Sequence, residues 1–175
     1  PSWSRGLGDV YKRQVQNYMT KDNQLVIASD HRGMKLKDFI TQWVTPLDDN
    51  FATRYDISVF MDQGVYDDNK KVDYPDVVKG IAETMEYHTH GILVCGSGYG
   101  VCIAANRFKH IRAATCRTVQ EVEMARKHNN INVLCLGADF TSQNKAKRMV
   151  KAFFETKFEG GRHLTRVKKL SNLGD

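Results

Sequence analysis

Five short apolar runs, each followed by a stretch with helical spacing, constrain what this chain can fold into more than any other feature. They are "QLVIASD" (24–30), "DISVFMD" (56–62), "GILVCG" (91–96), "IRAATC" (111–116) and "NVLCLGA" (132–138). Uninterrupted aliphatic and β-branched runs of this length read as strands buried on both faces, the habit of parallel sheets covered by helices. After the first run, Leu36, Phe39, Ile40 and Trp43 recur near helical spacing over 34–44. After the second, the polar loop "DQGVYDDNKKVDYPD" leads to Pro75, suited to the first turn of a helix carrying Val77, Val78, Ile81, Ala82 and Met85. A last long helix is predicted over 142–156. The expectation is an α/β fold: a doubly wound, Rossmann-like three-layer α/β/α sandwich around a five-stranded parallel sheet.

With 175 residues, 41% of them hydrophobic, the chain suffices for one well-buried domain, expected over 22–175. Residues 1–21 stand ahead of the first strand like an appendage. "PSWSRGLGDVYKRQ" has no sustained apolar period and resembles translated cloning adapter more than part of a fold. That stretch holds Arg5, Lys12, Arg13 and Lys21 against Asp9 alone, half of the formal net charge of +6. The remaining charge is ordinary for an enzyme of anionic metabolites, and no basic stripe is interleaved with aromatics, so nucleic acid is not an expected partner. No apolar run approaches the roughly 20 residues that cross a bilayer, and no signal-peptide pattern is present. The expectation is a cytoplasmic protein with no membrane partner.

The four cysteines, Cys95, Cys102, Cys116 and Cys135, form no C-x-x-C pair, and each lies in or beside an apolar segment. This pattern argues against a zinc knuckle and a disulfide framework and reads as reduced thiols. Cys102, Cys116 and Cys135 are expected to be small buried hydrophobes. Cys95 differs, because "CGSGYG" places Gly96, Gly98 and Gly100 directly after it. Ligands of doubly wound folds sit beyond the carboxyl ends of the strands, which gathers Asp30, His31, Cys95 to Gly100, Arg117 and Asp139 at one rim.

The glycine loop lacks the Gly-Lys-Ser/Thr of nucleotide triphosphatases, and its alternate glycines miss the dinucleotide fingerprint. What remains is a cysteine between a strand end and a helix N-terminus, where backbone N–H groups favour the thiolate form. Such a residue serves as nucleophile or base, or else as a core thiol beside a turn.

"SDHRGMKLK" (29–37), "VDYPD" (72–76), "CGSGYGVCIAANR" (95–107), "IRAA" (111–114), "RKHNN" (126–130), "NVLCLGA" (132–138) and "FEGGRHLTRVKKL" (158–170) together resemble, in order, the ribose-5-phosphate isomerase B family, which includes the subunits of galactose-6-phosphate isomerase. The resemblance covers roughly residues 24–170. It implies an aldose–ketose isomerase of a sugar phosphate working through an enediolate, without metal or organic cofactor, in dimers or tetramers whose active sites combine residues of two subunits.

By the same resemblance Cys95 matches the family's base. Some relatives place a glutamate base just after the last loop glycine, where this chain has Val101. The Ser97 hydroxyl and the backbone N–H groups from Gly96 through Gly98 and Tyr99 to Gly100 match the hole for the enediolate oxygen. His128 matches the ring-opening acid/base and Asn129 a substrate-binding neighbour; without the resemblance His128 reads as a helix C-terminal histidine favoured by the dipole. Asp30 and His31 match residues at the sugar hydroxyls and the phosphate, and Asp30 also suits a helix cap. Arg162 and Arg166, four apart, match a phosphate clamp on a short C-terminal helix.

One position departs. Relatives commonly carry arginine after "LGA", where this chain has Asp139, leaving Arg32 or Arg117 as the cations able to pair with that carboxylate. Two function classes follow. The first is an isomerase of ribose 5-phosphate and ribulose 5-phosphate, with an allose or galactose 6-phosphate isomerase as its variant. The second is a non-catalytic sugar-phosphate-binding module. Cys95, Ser97 and His128 together favour the enzyme; Asp139 favours the module.

Overall fold

The alternation of side chains along three central strands divides the hydrophobic residues between two faces of one sheet. In the computed structural model, which describes residues 23–45, 51–67, 69–85 and 89–173, the strands are β1 (Asn23–Ser29), β2 (Ile57–Asp62), β3 (Thr89–Cys95), β4 (Ala113–Thr115) and β5 (Val133–Gly137). All pairings are parallel, in the order β2-β1-β3-β5-β4. The extension expected over 1–21 lies outside the described residues.

Leu25, Ile27, Ile92, Val94, Leu134 and Leu136 face one side. Their neighbours Val26, Ala28, Leu93, Cys95, Val133 and Cys135 face the other. This period of two is what a strand buried on both sides requires.

Seven helices are present among the described residues: α1 (Met34–Val44), α2 (Phe51–Arg54), α3 (Tyr74–Thr84), α4 (Tyr99–Ala105), α5 (Val119–Asn129), α6 (Gln143–Glu155) and α7 (Arg162–Leu170). Leu36, Ile40 and Val44 of α1, Val122 of α5 and Met149, Val150 and Phe153 of α6 cover the first face. Val77, Val78 and Ile81 of α3 with Val101 and Ala105 of α4 cover the second. The doubly wound sandwich expected from the apolar runs is the fold observed.

Differences from the expected elements are local. The run 111–116 contributes only the three-residue strand β4, at the edge of the sheet, and Asn106 takes the backbone groups of its first residue: its side chain donates to Ala113 O at 2.9 Å and accepts from Ala113 N–H at 2.9 Å. The one-turn α2 is formed around Phe51, whose buried ring packs against Trp43, Tyr55 and Phe154 at 4.5–5.5 Å.

Helical spacing did not mark Lys37 as a core residue, yet its side chain is fully buried. Its Nζ donates to both oxygens of Asp62, at 2.7 and 2.9 Å, and pairs with Asp38 at 2.9 Å. Burial pushes the lysine pKa down, but the two carboxylates outweigh it and raise the net value above 10.5. Asp62 also accepts from Gly64 N–H at 3.0 Å, turning the chain at the end of β2.

Because the folded-state value is raised, the stabilisation from this ion pair is present below pH 10.5 and is lost as pH climbs through the folded value. Lys37→Met would leave Asp62 partly buried without its cation, and denaturant titration at neutral pH should show a loss of about 3 kcal/mol or more. A loss below about 1 kcal/mol would mean that the carboxylate finds solvent or another partner.

Candidate active site

β1 and β3 are neighbours, and the chain leaves them toward opposite sides of the sheet order, so their carboxyl ends flank the crevice where such folds take ligands. Cys95 ends β3 there, 4% exposed. Its Sγ accepts from Gly98 N–H at 3.1 Å, and Ser97 Oγ accepts from Tyr99 N–H at 3.4 Å.

The loop is clamped to the end of β5 by backbone. Cys95 O accepts from Ala138 N–H at 2.9 Å, and Gly96 O accepts from Asp139 N–H at 3.0 Å. Gly98 has φ +83° and opens α4; a Cβ there would stand 2.9 Å from Gly137 N. A Cβ on Gly137 would stand 2.5 Å from Ser97 O. Two backbones therefore touch where only glycine fits. On the other side of the loop the Tyr74 ring lies against Gly100, 2.9 Å from where a Cβ would be.

At the end of β1, Asp30 is buried and its Oδ1 accepts from the N–H groups of Arg32 and Gly33, both at 3.0 Å. Its capping role is thus realised one turn ahead of α1. His31 is held by the segment before α3: Nδ1 lies 3.4 Å from Val72 N and 3.3 Å from Val72 O, accepting or donating according to its tautomer. Val72 also lines a cavity of about 440 Å³ with Gln63, Val65 and Tyr66.

Asp139 pairs with Arg32, with NH2 donating to Oδ2 at 2.6 Å. Arg117 takes another place, its guanidinium over the rings of Phe140 at 4.8 Å and Tyr99 at 5.2 Å, with a hydrogen bond to the Tyr99 hydroxyl.

The remaining sequence-predicted residues lie elsewhere. α5 begins at a Thr118/Glu121 capping box, just after the carboxyl end of β4, and runs back across the sheet to Asn129. Its 11 residues carry His128 and Asn129 about 16 Å from the rim, at 1.5 Å per residue. There Asn129 lines a cavity of about 600 Å³ with Arg107, Phe108, Arg112 and Leu170.

Glu159 N–H donates to Lys127 O at 3.1 Å, which seats the start of α7 against the end of α5. Arg162 and Arg166 are exposed on α7. The fold therefore brings together Asp30, His31, Cys95, Gly96, Ser97, Gly98, Tyr99 and Gly100 at one end of the sheet. It brings together His128, Asn129, Arg162 and Arg166 at the other.

The far group includes a residue that sequence reasoning passed over. His163, buried on α7, stacks on His128 with ring centroids 4.4 Å apart and planes 8° from parallel. Burial and the nearby His128, Arg162 and Arg166 hold its pKa below the ordinary histidine value, against an opposing pull from Glu159. The only sequence signal was its place inside "GGRHLTR".

Ligating atoms of His128, Glu159 and His163 lie within 4.8 Å of one another. However, imidazole binds an ion in its own ring plane, and no point lies in two separated parallel planes. The stacked arrangement is therefore not that of a bidentate histidine metal site.

Of the cysteines, Cys116 and Cys135 are buried as expected, whereas Cys102 is only half-buried. The Cys135 thiol hydrogen-bonds to Cys102 and, with Thr115 and Asn106, brings the Cys102 pKa down to about 6 despite burial. Burial, with Glu121 and Cys102 adding to it, pushes Cys116 up to about 12.

A family model described as "Ribose/Galactose Isomerase" matches residues 25–170. A Mycoplasma genitalium protein named probable ribose-5-phosphate isomerase B is 36% identical over 149 residues, 83% of this chain and 92% of that protein. The solved ribose 5-phosphate isomerase B of Anaplasma phagocytophilum superposes with a TM-score of 0.75 at 35% identity, covering 85% of this chain and 97% of the other. That of Mycoplasma genitalium, solved with bound ribulose-5-phosphate, gives 0.74 at 33% identity over 87% and 96%.

Fold and rim alike are those of an α/β enzyme that keeps a cysteine under a glycine loop at the switch point of its sheet. With the match spanning nearly all the described residues, the chain belongs to the ribose/galactose isomerase family.

Gly137→Ala should destabilise by about 1–3 kcal/mol through overpacking against Ser97 O and lower turnover further than its melting temperature accounts for. Unchanged activity in a folded variant would show that the clamp is not needed. Alkylation of Cys102 by iodoacetamide should rise through about pH 6 while Cys116 remains protected, as peptide mass spectrometry of the native protein would detect.

Proposed function

We propose that this chain is an aldose–ketose isomerase interconverting ribose 5-phosphate and ribulose 5-phosphate, with Cys95 as the base. The observation that carries the reading is Cys95 itself, buried at the end of β3 beneath Gly98 N–H at the switch point of an isomerase-family sheet. In the open-chain aldose the Cys95 thiolate removes the proton at C2. The enediolate oxygen O1 accepts from Ser97 and the loop N–H groups from Gly96 to Gly100; a proton passes from the O2 hydroxyl to O1, and the carbon proton returns from the Cys95 sulfur to C1, leaving the C2 carbonyl of the ketose. Asp30 holds sugar hydroxyls and His31 the phosphate.

His128 opens the furanose ring, Asn129 binds beside it, and Arg162 and Arg166 grip the phosphate. Because these four lie about one α5 length, about 16 Å, from Cys95 within a chain, the reading requires a second copy to supply them. Two sites per homodimer, each with a rim from one chain and the α5–α7 end of its partner, satisfy the chemistry. The bound ribulose-5-phosphate of the Mycoplasma genitalium relative supports the substrate class. Residues 22–175 are read as one domain. None of the four cysteines is in a disulfide, which fits the reducing cytoplasm, where the pentose phosphate pathway runs.

Cys95→Ser should lower turnover of ribose 5-phosphate by about a hundredfold or more, the usual worth of a general base, with the melting temperature retained. Co-refolding equal amounts of Cys95→Ser and His128→Asn chains should restore about a quarter of wild-type activity, because half the dimers are mixed and each mixed dimer holds one intact site. An inactive mixture would overturn the shared site. Turnover of allose or galactose 6-phosphate alone would keep the mechanism and change the substrate, and a folded protein that turns over none of the three would be a binding module.

A further inference from the structure

Arg32 is pinned at both ends to the structure that holds Cys95. Its backbone N–H is tied to Asp30 Oδ1 at 3.0 Å, and its NH2 donates to Asp139 Oδ2 at 2.6 Å. Asp139 is itself fastened through its N–H to Gly96 O. The guanidinium lies directly over Gly96: a Cβ there would stand 2.8 Å from Cζ, 2.9 Å from Nε and 3.1 Å from NH1. The lack of a side chain at position 96 is what lets the group lie across the mouth of the loop.

The Arg32 side chain is 60% exposed and that of Asp139 43%. An exposed pair of this kind contributes little to stability, so holding the fold together does not explain so specific a placement. Arginine offers five donors in a planar fork matched to phosphate oxygens, and Asp139 engages one nitrogen of that fork. His31, the preceding residue, is held at the same rim by Val72.

We propose that Arg32 is a substrate-binding residue that donates to the phosphate group of the sugar phosphate at the mouth of the Cys95 loop, and that Asp139 is its positioning residue. The carboxylate aims the guanidinium, while Arg32 offsets the negative charge that Asp139 would otherwise present to an incoming dianion. This inference rests on the sugar-phosphate reading above and adds to it the residue that accommodates an acidic side chain beside the anionic end of the substrate.

The test pairs steady-state kinetics with binding of inorganic phosphate alone, read both as competitive inhibition and as a thermal shift of the intact protein. Arg32→Ala should raise KM for ribose 5-phosphate and the inhibition constant of phosphate together by about tenfold, with kcat changed less than about twofold. Arg32→Lys should recover only part of this, since an ammonium lacks the fork. In an Asp139→Ala background the Arg32→Ala change should cost less than about twofold, because a guanidinium that is no longer aimed has less to lose.

Unchanged phosphate affinity in Arg32→Ala would overturn the proposal, and equal losses in both backgrounds would overturn the role of Asp139. Should the wild-type protein fail to turn over ribose 5-phosphate, the thermal shift by phosphate still decides whether Arg32 holds the anion. Failure of the isomerase reading and failure of this one are therefore distinguishable.

Discussion

Where the turn after β3 meets the end of β5, main chain rests on main chain, with a Cβ at Gly137 only 2.5 Å from Ser97 O and one at Gly98 2.9 Å from Gly137 N. Two hydrogen bonds, from Ala138 and Asp139 to Cys95 and Gly96, lock the segments together. The rim depends on this contact. It fixes the loop so that Gly98 N–H meets the Cys95 sulfur, and it carries Asp139 to within reach of Arg32. Backbone contacts cannot rotate away as side chains do, so the loop geometry is held before any ligand arrives.

The helices distribute the chemistry that the sheet anchors. α4 leaves the rim at Gly98 and α5 leaves it at Thr118, and both run toward the opposite end. The residues proposed to act with Cys95 but carried on the last turn of α5 or on α7 are thereby removed from it by the length of a helix. That end is also where Ile103, Leu164, Leu170 and Leu173 are exposed on or near α4 and α7, apolar area of the kind that a partner covers.

The layers of the fold were legible because parallel strands buried on both faces leave short, β-branched apolar runs, and each here is followed by a stretch of helical spacing. The rim was legible as well, since strand ends in a parallel sheet all lie at one edge. Lys37 was not legible: a lysine among apolar residues on an amphipathic helix reads as solvated, and its burial depends on Asp62, which comes 25 residues later. The stacking of His128 on His163 was hidden for the same reason, since it joins two helices whose packing no local pattern encodes. Asp139 was visible as a charge at the strand-end rim with two candidate cations. Choosing Arg32 over Arg117 needed the rings of Tyr99 and Phe140, which occupy the second guanidinium.

The order β2-β1-β3-β5-β4 places the last strand to be synthesised between two made earlier. Among the described residues β4 pairs with β5 alone, so this half of the sheet can close only after the ribosome has passed residue 137. Until then β3 has an open edge, and the cysteine loop lacks Gly137, Ala138 and Asp139 to rest against. Closure of that half is a non-local event that waits on the C-terminal third of the chain. Partial products of translation accordingly hold the cysteine without its cradle, and the rim around it comes into being in the same step that completes the sheet.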